Sequence, residues 1–176
     1  MATRAKPKKL DLDGLWEYAL RALGQRAHSS NELRQKLMRR AASPADVSVT
    51  MDKLKEYGMT DDRKFSEAFA LSRLQNRGFG QFRVLRELRS KRVAEAVAKP
   101  AIEKAYSGKN EQELIEDFLA RKYRGKDLRE FLQDQKNLAG VYRRLRTAGF
   151  SSPGAFAALK KHAGELEEWD DGETEI

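Results

Sequence analysis

Residues 54–65 read LKEYGMTDDRKF, and this run contains the end of one predicted helix and the start of the next. Gly58 has a leucine four residues before it and a methionine directly after it, which is typical of a Schellman motif that ends a helix at a left-handed glycine. Asp61 and Asp62 precede an apolar helical pattern, where carboxylates satisfy free backbone amides. We interpret both aspartates as helix caps rather than as metal ligands.

The setting of Gly58 returns at Gly149, which has a leucine four residues before it and a phenylalanine directly after it. A duplicated helix end indicates an internal repeat, and three segments of the chain align by their apolar positions. The aligned positions are occupied by Tyr18, Phe69 and Phe118; by Leu33, Val84 and Leu128; by Leu37, Leu88 and Leu132; and by Leu54, Ile102 and Leu145. The middle segment is expected to lack the glycine cap and to end at Gly108 instead.

Apolar residues recur at helical spacing along almost the whole chain, and alternating strand patterns are absent. Units of three short helices bury little surface alone, so neighbouring units must share apolar surface. The sequence therefore predicts an all-α fold of three tandem three-helix repeats that form an elongated, curved array. We expect a basic leader at 1–11, helical repeats at 12–59, 60–108 and 109–164, the last with a terminal helix, and an acidic tail at 165–176.

Several further residues predict local structure. Helix starts are indicated by Ser29 with Glu32 and by Asn110 with Glu113, as capping boxes, and by Ser43 and Ser152, each directly before a proline. Trp16 lies on an apolar stripe and is predicted to be in the core, whereas Trp169 lies in the acidic tail and is predicted to be exposed.

Charge is distributed unevenly along the 176 residues. The chain contains 35 Lys or Arg and 27 Asp or Glu, a net charge of +8, yet seven acidic residues and no basic one lie between Glu165 and Ile176. The remainder is therefore strongly basic and should attract polyanions or an acidic protein face. The tail has two interpretations: a solubilising end, or a segment that screens the basic face until a partner displaces it.

Arginine dominates the basic residues of the middle repeat, which favours bidentate contacts with phosphate or carboxylate. On a helix from about residue 81 to residue 91, Val84, Leu85 and Leu88 share one side, while Arg83 and Arg86 project from the opposite side. A merely solvated surface is the alternative. The candidate binding residues are Arg26, Arg34, Arg73, Arg77, Arg83, Arg86, Arg89, Lys91 and Arg92.

Other classes of protein are disfavoured by what the sequence lacks. It has no cysteine, which excludes disulfides and thiolate metal sites, and no run of 18 apolar residues that would predict a membrane span. His28 and His162 are far apart with no metal-ligand spacing near either, and His28 is interpreted as a loop or cap residue. Gly78-Phe79-Gly80 lacks the third glycine and the strand of a dinucleotide site, so it indicates an interhelical turn. We predict no catalytic residue, no metal and no cofactor.

Three runs of sequence carry a resemblance to a known family. They are RAHSSNEL at 26–33, LKEYGMTDD at 54–62 and RGFG at 77–80, each followed by apolar residues at helical spacing. Together they resemble signatures of the RecX family over roughly residues 15–106, and the repeat spacing extends the likeness to about residue 158. The departures are the basic leader, the acidic tail and Lys91-Arg92-Val93, where the family often has a glycine.

The resemblance implies a bacterial cytoplasmic regulator of the RecA recombinase that binds in the helical groove of the RecA–DNA filament. It further implies inhibition of filament growth, ATP hydrolysis, strand exchange and co-protease activity. We expect a non-enzymatic monomer that does not bind membranes. It should bind single- and double-stranded DNA more weakly than it binds the RecA–DNA filament. The alternatives are a repressor-like protein that binds DNA directly through its Arg-rich helices, and a nuclease or other enzyme, for which the sequence offers no acid, base or ligand cluster.

Overall fold

The computed structural model describes residues 9–163, and within this range every named element is an α-helix. The predicted all-α fold is therefore confirmed. The helices are α1 Leu12–Gln25, α2 Ser30–Arg40, α3 Pro44–Glu56, α4 Asp62–Arg77, α5 Gln81–Ser90, α6 Glu95–Tyr106, α7 Glu111–Lys122, α8 Leu128–Phe131, α9 Gln135–Ala148 and α10 Ser152–Ala163. None of these helices has the length and apolar character that crossing a lipid bilayer requires.

The helices follow one another in three sets, α1–α3, α4–α6 and α7–α10, which confirms the predicted three-helix repeats. One difference concerns the third set, where the second helix, α8, is a single turn of four residues. Asp127 accepts backbone hydrogen bonds at the start of α8, and Asp134 does the same at the start of α9. The two caps are so close in sequence that no longer helix fits between them.

Aligned residues of the three sets have similar burial. Tyr18, Phe69 and Phe118 are each half-buried. The aliphatic residues at the other aligned positions are buried, except for Leu128 on the short α8, which is half-buried. Because burying one such side chain stabilises a fold by about 1.5–3 kcal/mol, the recurrence of these positions accounts for the recurrence of the helices.

The described chain divides into two compact units that do not coincide with the three sets. The first unit contains the residues up to Leu71 together with Leu85–Ala105, and the second contains Ser72–Val84 together with the residues from Tyr106 onward. A core in the first unit includes Leu15, Ala19, Leu33, Leu37, Val47 and Leu54. A core in the second unit includes Ile115, Leu119, Leu138, Val141, Leu145 and Phe150.

The two predicted Schellman motifs are present. At Gly58, with φ of 65°, the amide of Met59 donates to the Leu54 carbonyl at 2.8 Å. At Gly149, with φ of 93°, the amide of Phe150 donates to the Leu145 carbonyl at 3.2 Å. The middle set ends at Tyr106-Ser107-Gly108 as expected: Gly108 is left-handed, with φ of 70°, but the amide after it, that of Lys109, donates to the Tyr106 carbonyl at 3.0 Å, three residues back instead of five.

A third Schellman motif ends α5 without a glycine. The amide of Val93 donates to the Leu88 carbonyl at 3.1 Å, and Arg92 occupies the left-handed position with φ of 62°. An arginine in this conformation costs about 1–2 kcal/mol relative to glycine. Two side chains at the start of α2 hold the strained turn by hydrogen bonds to its carbonyl groups. Ser29 Oγ donates to Lys91 O, and Asn31 Nδ2 donates to Arg92 O at 3.1 Å.

Two glycines allow a direct backbone contact inside the second unit. The amides of Gly80 and Phe82, at the start of α5, donate to the carbonyls of Ala148 and Gly149, at the end of α9, at 2.9 and 3.1 Å. A Cβ atom on Gly80 would lie 2.2 Å from Gly149 O, and one on Gly149 would lie 2.3 Å from Arg83 N. The free amides of one helix start therefore satisfy the free carbonyls of one helix end.

The two adjacent aspartates have different roles. Asp61 caps α4 as predicted, because its Oδ1 accepts hydrogen bonds from the amides of Arg63 and Lys64 at 2.9 and 3.0 Å. Asp62 does not cap its own helix in this way: its Oδ1 accepts from the Ser30 amide, at the start of α2, at 2.7 Å. The second aspartate thus connects α4 to α2 within the first unit.

Ser43 caps α3 as predicted, and Asn110 caps α7, which confirms the asparagine half of its predicted capping box. Ser29 caps α2, but the Glu32 carboxylate contacts Arg26 and His28, so only the serine half of the predicted capping box is seen. The cap of α10 is Ser151 rather than Ser152, because Ser151 Oγ accepts from the Gly154 amide at 3.0 Å. The proline consequently occupies the second helical position instead of the first.

His28 has a structural role between α1 and α2. It is 4% exposed, and its Nδ1 lies 3.3 Å from Glu32 Oε2. Burial, assisted by the nearby Arg26 charge, lowers the pKa of His28. The hydrogen bond from Arg26 lowers the pKa of Glu32 to about 2. His28 therefore lies in the loop between α1 and α2, as predicted, where it is a buried neighbour of an ion pair.

The two tryptophans were predicted to differ. Trp16 is half-buried against the first core, and the Lys53 Nζ atom lies 4.3 Å from the centre of its ring. Its packing confirms that it belongs to the core, at the margin. Trp169 and the rest of the acidic tail lie outside the described residues, as does most of the basic leader.

We predict that Gly149→Ala destabilises the protein far more than Gly58→Ala. Both glycines have positive φ, so alanine costs about 1–2 kcal/mol at either position. Only at Gly149 would the new methyl group collide with backbone, whereas nothing lies within 4 Å of the same position on Gly58. Urea unfolding should give a loss of about 1 kcal/mol for Gly58→Ala and at least about 3 kcal/mol for Gly149→Ala. Equal losses would contradict the close backbone contact.

We also predict that acid destabilises the fold through Glu32 and His28. The folded-state pKa of Glu32 is lowered from 4.5 to about 2, so its stabilising contribution is complete above pH 4.5 and is lost as the pH falls toward 2. The pKa of His28 is also lowered, so below its ordinary pKa of 6.5 the unfolded chain takes up a proton that the folded chain resists, and stability falls there as well.

Unfolding free energies measured between pH 2 and pH 8 should therefore decline on acidification. Glu32→Gln should lower the unfolding free energy at pH 7 by about 1–2 kcal/mol and flatten the profile below pH 4.5. Arg26→Gln should flatten it in the same way. Parallel profiles for the wild type and Glu32→Gln would contradict the assignment of the acid-sensitive group.

Candidate functional site

The second unit contains a cleft with a volume of about 490 Å³, which we call the basic cleft. Its walls come from the end of α4, the turn before α5, the first turn of α5, the end of α7 and the last part of α9. The lining residues are Asn76, Arg77, Phe79, Arg83, Phe118, Arg121, Lys122, Arg144, Thr147 and Ala148. All ten belong to the second unit.

The composition of the basic cleft is one-sided. Four arginines and one lysine line it, and none of the ten lining residues is Asp or Glu. Thr147 and Asn76 add neutral polar groups. Guanidinium groups present several N–H donors in a plane and match the oxygens of phosphate or carboxylate, so this arrangement is suited to a multiply charged anion.

Three arginines of the cleft make contacts with neutral groups. The Arg83 guanidinium carbon lies 3.7 Å from the centre of the Phe79 ring. Arg121 Nε donates to the Asp117 carbonyl at 3.1 Å, and its terminal nitrogens extend over the Cα of Gly78. Arg144 donates to the Tyr123 hydroxyl at 3.3 Å. Each of these three contacts is made with an uncharged group.

The turn before α5 explains why Gly78 is a glycine. Its φ is 59°, and a Cβ atom there would lie 1.7 Å from a terminal nitrogen of Arg121. The chain therefore needs glycine both for the left-handed backbone and for the close approach of the arginine. The interhelical turn predicted at Gly78-Phe79-Gly80 is confirmed, and its two glycines have separate roles: Gly80 admits the end of α9.

The position of Arg121 and Lys122 follows from the charge pattern of α7. The helix has acidic residues in its first turn, Glu111 and Glu113, and ends with these two basic residues. This is the order that the helix dipole favours, and it is worth about 0.3–1 kcal/mol for each charge. A helix sequence that is favourable by itself thus delivers two cations to the cleft.

Of the nine residues predicted from the sequence, the structure brings Arg77 and Arg83 into the basic cleft. Arg73 lies one helical turn before Arg77 on α4, is half-buried and belongs to the same unit. The other six belong to the first unit and are Arg26, Arg34, Arg86, Arg89, Lys91 and Arg92.

Two of these first-unit arginines are paired with carboxylates. Arg26 lies 2.6 Å from Glu32, and Arg89 lies 2.5 Å from Glu95. Hydrogen bonds from Lys99 and Arg89 lower the pKa of Glu95, as the bond from Arg26 does for Glu32. Much of the charge of Arg26 and Arg89 therefore acts within the fold.

The other first-unit candidates have varied surroundings. Lys91 is half-buried with its Nζ 5.6 Å from the centre of the Phe69 ring, and Arg92 is exposed on the strained turn. Arg86 is exposed on α5. Arg34 lines an open depression of about 680 Å³ that also contains Lys55, Asp52, Asp61 and Asp62, so positive and negative charges alternate there.

Three cations of the basic cleft were not among the sequence candidates: Arg121, Lys122 and Arg144. The repeat alignment contained a signal for one of them, because Lys122 stands four residues after Phe118, as Arg73 stands four residues after Phe69. Nothing in the sequence singled out Arg121 or Arg144, whose neighbours in the cleft are distant along the chain. In the described residues, no group of three or more His, Asp and Glu side chains could hold a metal ion.

The comparisons with known proteins agree on one family. Models of the first and second three-helix domains of RecX match residues 16–54 and 61–102. The regulatory protein RecX of Halorhodospira halophila is 41% identical over 87 residues, which are 49% of this chain and 53% of that relative. The regulatory protein RecX of Vibrio parahaemolyticus is 30% identical over 135 residues, 77% of this chain and 83% of that relative.

A solved structure shares the fold. RecX from Lactobacillus salivarius superposes with a TM-score of 0.65 at 18% identity, covering 86% of this chain and 96% of that one. The shorter alignments span only about half of the relatives' own length, 53% for Halorhodospira halophila and 54% for Chlorobium phaeobacteroides. The two domain matches and the long Vibrio parahaemolyticus alignment nevertheless agree with the resemblance carried by the three sequence runs. The chain belongs to the RecX family of regulatory proteins.

Proposed function

We propose that this protein regulates the RecA recombinase by binding along the RecA–DNA filament, and that it does so without catalysing a reaction. The observation that carries this proposal is membership of the RecX family, whose relatives are named regulatory proteins. The expected outcome is inhibition of filament growth, ATP hydrolysis, strand exchange and co-protease activity. The protein would act as a monomer in the bacterial cytoplasm, with no cofactor.

Repetition of the three-helix set supports binding to a polymer. Exposed arginines occur on more than one set. Arg34 belongs to the first set, and Arg77, Arg86 and Arg92 belong to the second. Several weak contacts on one chain raise the effective concentration of each further contact, so modest individual affinities combine into useful avidity. A ligand that prefers one state of a filament shifts assembly toward that state, which requires no turnover.

A purified-component assay tests the proposal. Adding the protein to RecA on single-stranded DNA should lower the rate of ATP hydrolysis and shorten filaments at substoichiometric amounts. The protein alone should hydrolyse no ATP and cleave no DNA, with or without EDTA. Unaltered RecA activity, or ATPase activity of the protein itself, would contradict the proposal.

Charge reversal tests the predicted contact surface. Arg86→Glu and Arg92→Glu should each weaken inhibition, raising the half-inhibitory concentration about tenfold, because a cation–phosphate or cation–carboxylate contact becomes repulsive. Arg129→Glu is the matched control, because Arg129 is an exposed arginine of α8 outside the candidate set. It should change the half-inhibitory concentration less than about twofold. Equal effects of all three would indicate that only net charge matters.

Direct binding to DNA is a second candidate function, and the basic cleft is the observation that favours it. The two candidates differ in their requirement for RecA. A filament regulator should bind RecA-coated DNA more tightly than bare DNA of the same sequence. A direct DNA-binding protein should bind bare DNA at least as tightly, with an affinity that falls steeply with salt.

The hypothesis that the acidic tail screens the basic face concerns residues outside the described range and stays a prediction. Its basis is the seven acidic residues from Glu165 onward. A chain truncated after Gly164 should bind the filament more tightly at low salt than the full chain does. Unchanged affinity would remove the hypothesis.

A further inference from the structure

We propose that the outer surface of α1 and α3 is a docking site for a basic amphipathic helix of a partner protein. The surface, which we call the apolar seam, consists of Leu12, Trp16, Leu20, Val49 and Tyr57. None of the nine candidate cations lies on α1 or α3, so the predicted anion contacts belong to other helices and turns. Neither RecA nor nucleic acid is needed for this interaction.

The apolar seam is formed by a row of side chains on each of the two helices. Leu12, Trp16 and Leu20 follow one another at four-residue spacing and therefore share one side of α1. The other two residues of the seam share one side of α3 and its end in the same way. The rows lie side by side, because the centre of the Trp16 ring is 5.9 Å from that of Tyr57 and 4.3 Å from the Lys53 Nζ atom.

The exposure of the apolar seam indicates an interaction site. Its four residues other than Trp16 are between 38% and 61% exposed, and Trp16 is half-buried against the first core. Single exposed apolar residues are ordinary, but five in two adjoining rows are typical of a surface that a partner covers. Tryptophan and tyrosine are also among the residues that most often dominate the binding energy of protein interfaces.

The charges of α1 and α3 indicate the sign of the partner. The acidic residues of the two helices are Asp13, Glu17, Asp46, Asp52 and Glu56, and the basic ones are Arg21, Lys53 and Lys55. Five acidic and three basic residues give the pair a net charge of −2, in a chain whose net charge is +8. This region therefore attracts cationic groups, unlike the rest of the protein.

Three exposed carboxylates lie beside the apolar seam. Asp13 and Glu17 each directly follow a residue of the seam on α1, and Glu56 is two helical turns after Val49 on α3. In the part of the chain that the structure describes, none of these three carboxylates is in an ion pair. An apolar centre with a polar rim is the usual arrangement of a protein interface, and here the rim is acidic.

The dimensions of the apolar seam suit a helix. Leu12 and Leu20 are eight residues apart, which is about 12 Å along α1. An amphipathic helix presents apolar side chains at three- and four-residue spacing over the same length, and lysines beside them would meet Asp13 and Glu17. The contact of the Lys53 ammonium with the Trp16 ring shows that the aromatic part of the seam also accepts a cation.

Other occupants match less of the surface. Nucleic acid and anionic lipids would be repelled by the three carboxylates. A second copy of the chain would place the same acidic rim against itself. The basic leader has a suitable charge, but Met1 is its only large apolar residue before Leu10, so it cannot cover two apolar rows.

The test uses the fluorescence of the full chain carrying Trp169→Phe. The protein has two tryptophans, so the emission then comes from Trp16. The probe is a synthetic peptide of about 14 residues with leucines at three- and four-residue spacing and lysines elsewhere. It should move the emission to shorter wavelength, because the helix excludes water from the ring. It should also bind at least about tenfold more tightly than a peptide with glutamate in place of lysine.

Substitutions in the apolar seam should weaken binding of the same peptide, labelled with fluorescein and followed by anisotropy. Tyr57→Ser and Leu20→Gln should each lower the affinity about fivefold to tenfold, because apolar contact area is lost. Glu17→Gln should lower it about twofold to fivefold and make it less sensitive to salt. The matched controls are Met38→Ser, at an exposed residue of α2, and Glu103→Gln, at an exposed carboxylate of α6. Each should change the affinity less than about twofold.

Several outcomes would overturn the inference. One is that the seam variants bind the peptide as the controls do, which would be the result if the acidic tail at 165–176 held it. Another is that the glutamate peptide binds equally well. If Tyr57→Ser fails to fold by circular dichroism, Leu20→Gln and Glu17→Gln provide the same test.

Three further outcomes would assign the apolar seam to a different occupant and so overturn the proposal. A peptide of residues 1–9 that binds more tightly than the leucine–lysine peptide would indicate the leader. A dimer in sedimentation experiments that Tyr57→Ser abolishes would indicate a second copy. An equal shift of the Trp16 emission with vesicles of phosphatidylglycerol and phosphatidylcholine in equal parts would indicate a lipid surface.

Discussion

A backbone contact made possible by two glycines is the constraint on which the second unit depends. The amides of Gly80 and Phe82 donate directly to the carbonyls of Ala148 and Gly149, so the start of α5 and the end of α9 satisfy each other. Any side chain at either glycine would separate them. Because Arg83 is in the first turn of α5 and Arg144 is in the last part of α9, this contact also brings together two walls of the basic cleft.

Helix ends explain how so many cations can share one cleft in the free protein. Arg77 is the last residue of α4, and Arg121 and Lys122 are the last two residues of α7. The carboxyl end of a helix carries about half a negative charge, which offsets part of the repulsion among these side chains. Two such ends together provide about one negative charge close to the basic residues that line the cleft.

Local signals in the sequence predicted most of the fold, while the cleft needed the tertiary structure. The Schellman glycines, Asp61 and the aligned apolar positions are recognised from neighbouring residues, because each depends on contacts within one or two helical turns. Asp62 was misinterpreted because its partner, the Ser30 amide, is 32 residues away. The left-handed conformation of Arg92 could not be read from an arginine, since the bonds that hold it come from Ser29 and Asn31.

The contrast between the two units shows why counting basic residues is a poor guide to a binding surface. In the first unit Arg26 and Arg89 are bound to Glu32 and Glu95, and the Arg26 pair lies against the buried His28, so these arginines stabilise the helices that carry them. In the second unit Arg121 and Arg144 are held by a backbone carbonyl and a hydroxyl, neither of which carries a net charge. An orienting partner without charge preserves attraction for an external anion, whereas a carboxylate partner consumes it. What an arginine does for binding is therefore decided by the group that holds it, and the sequence alone does not reveal that group.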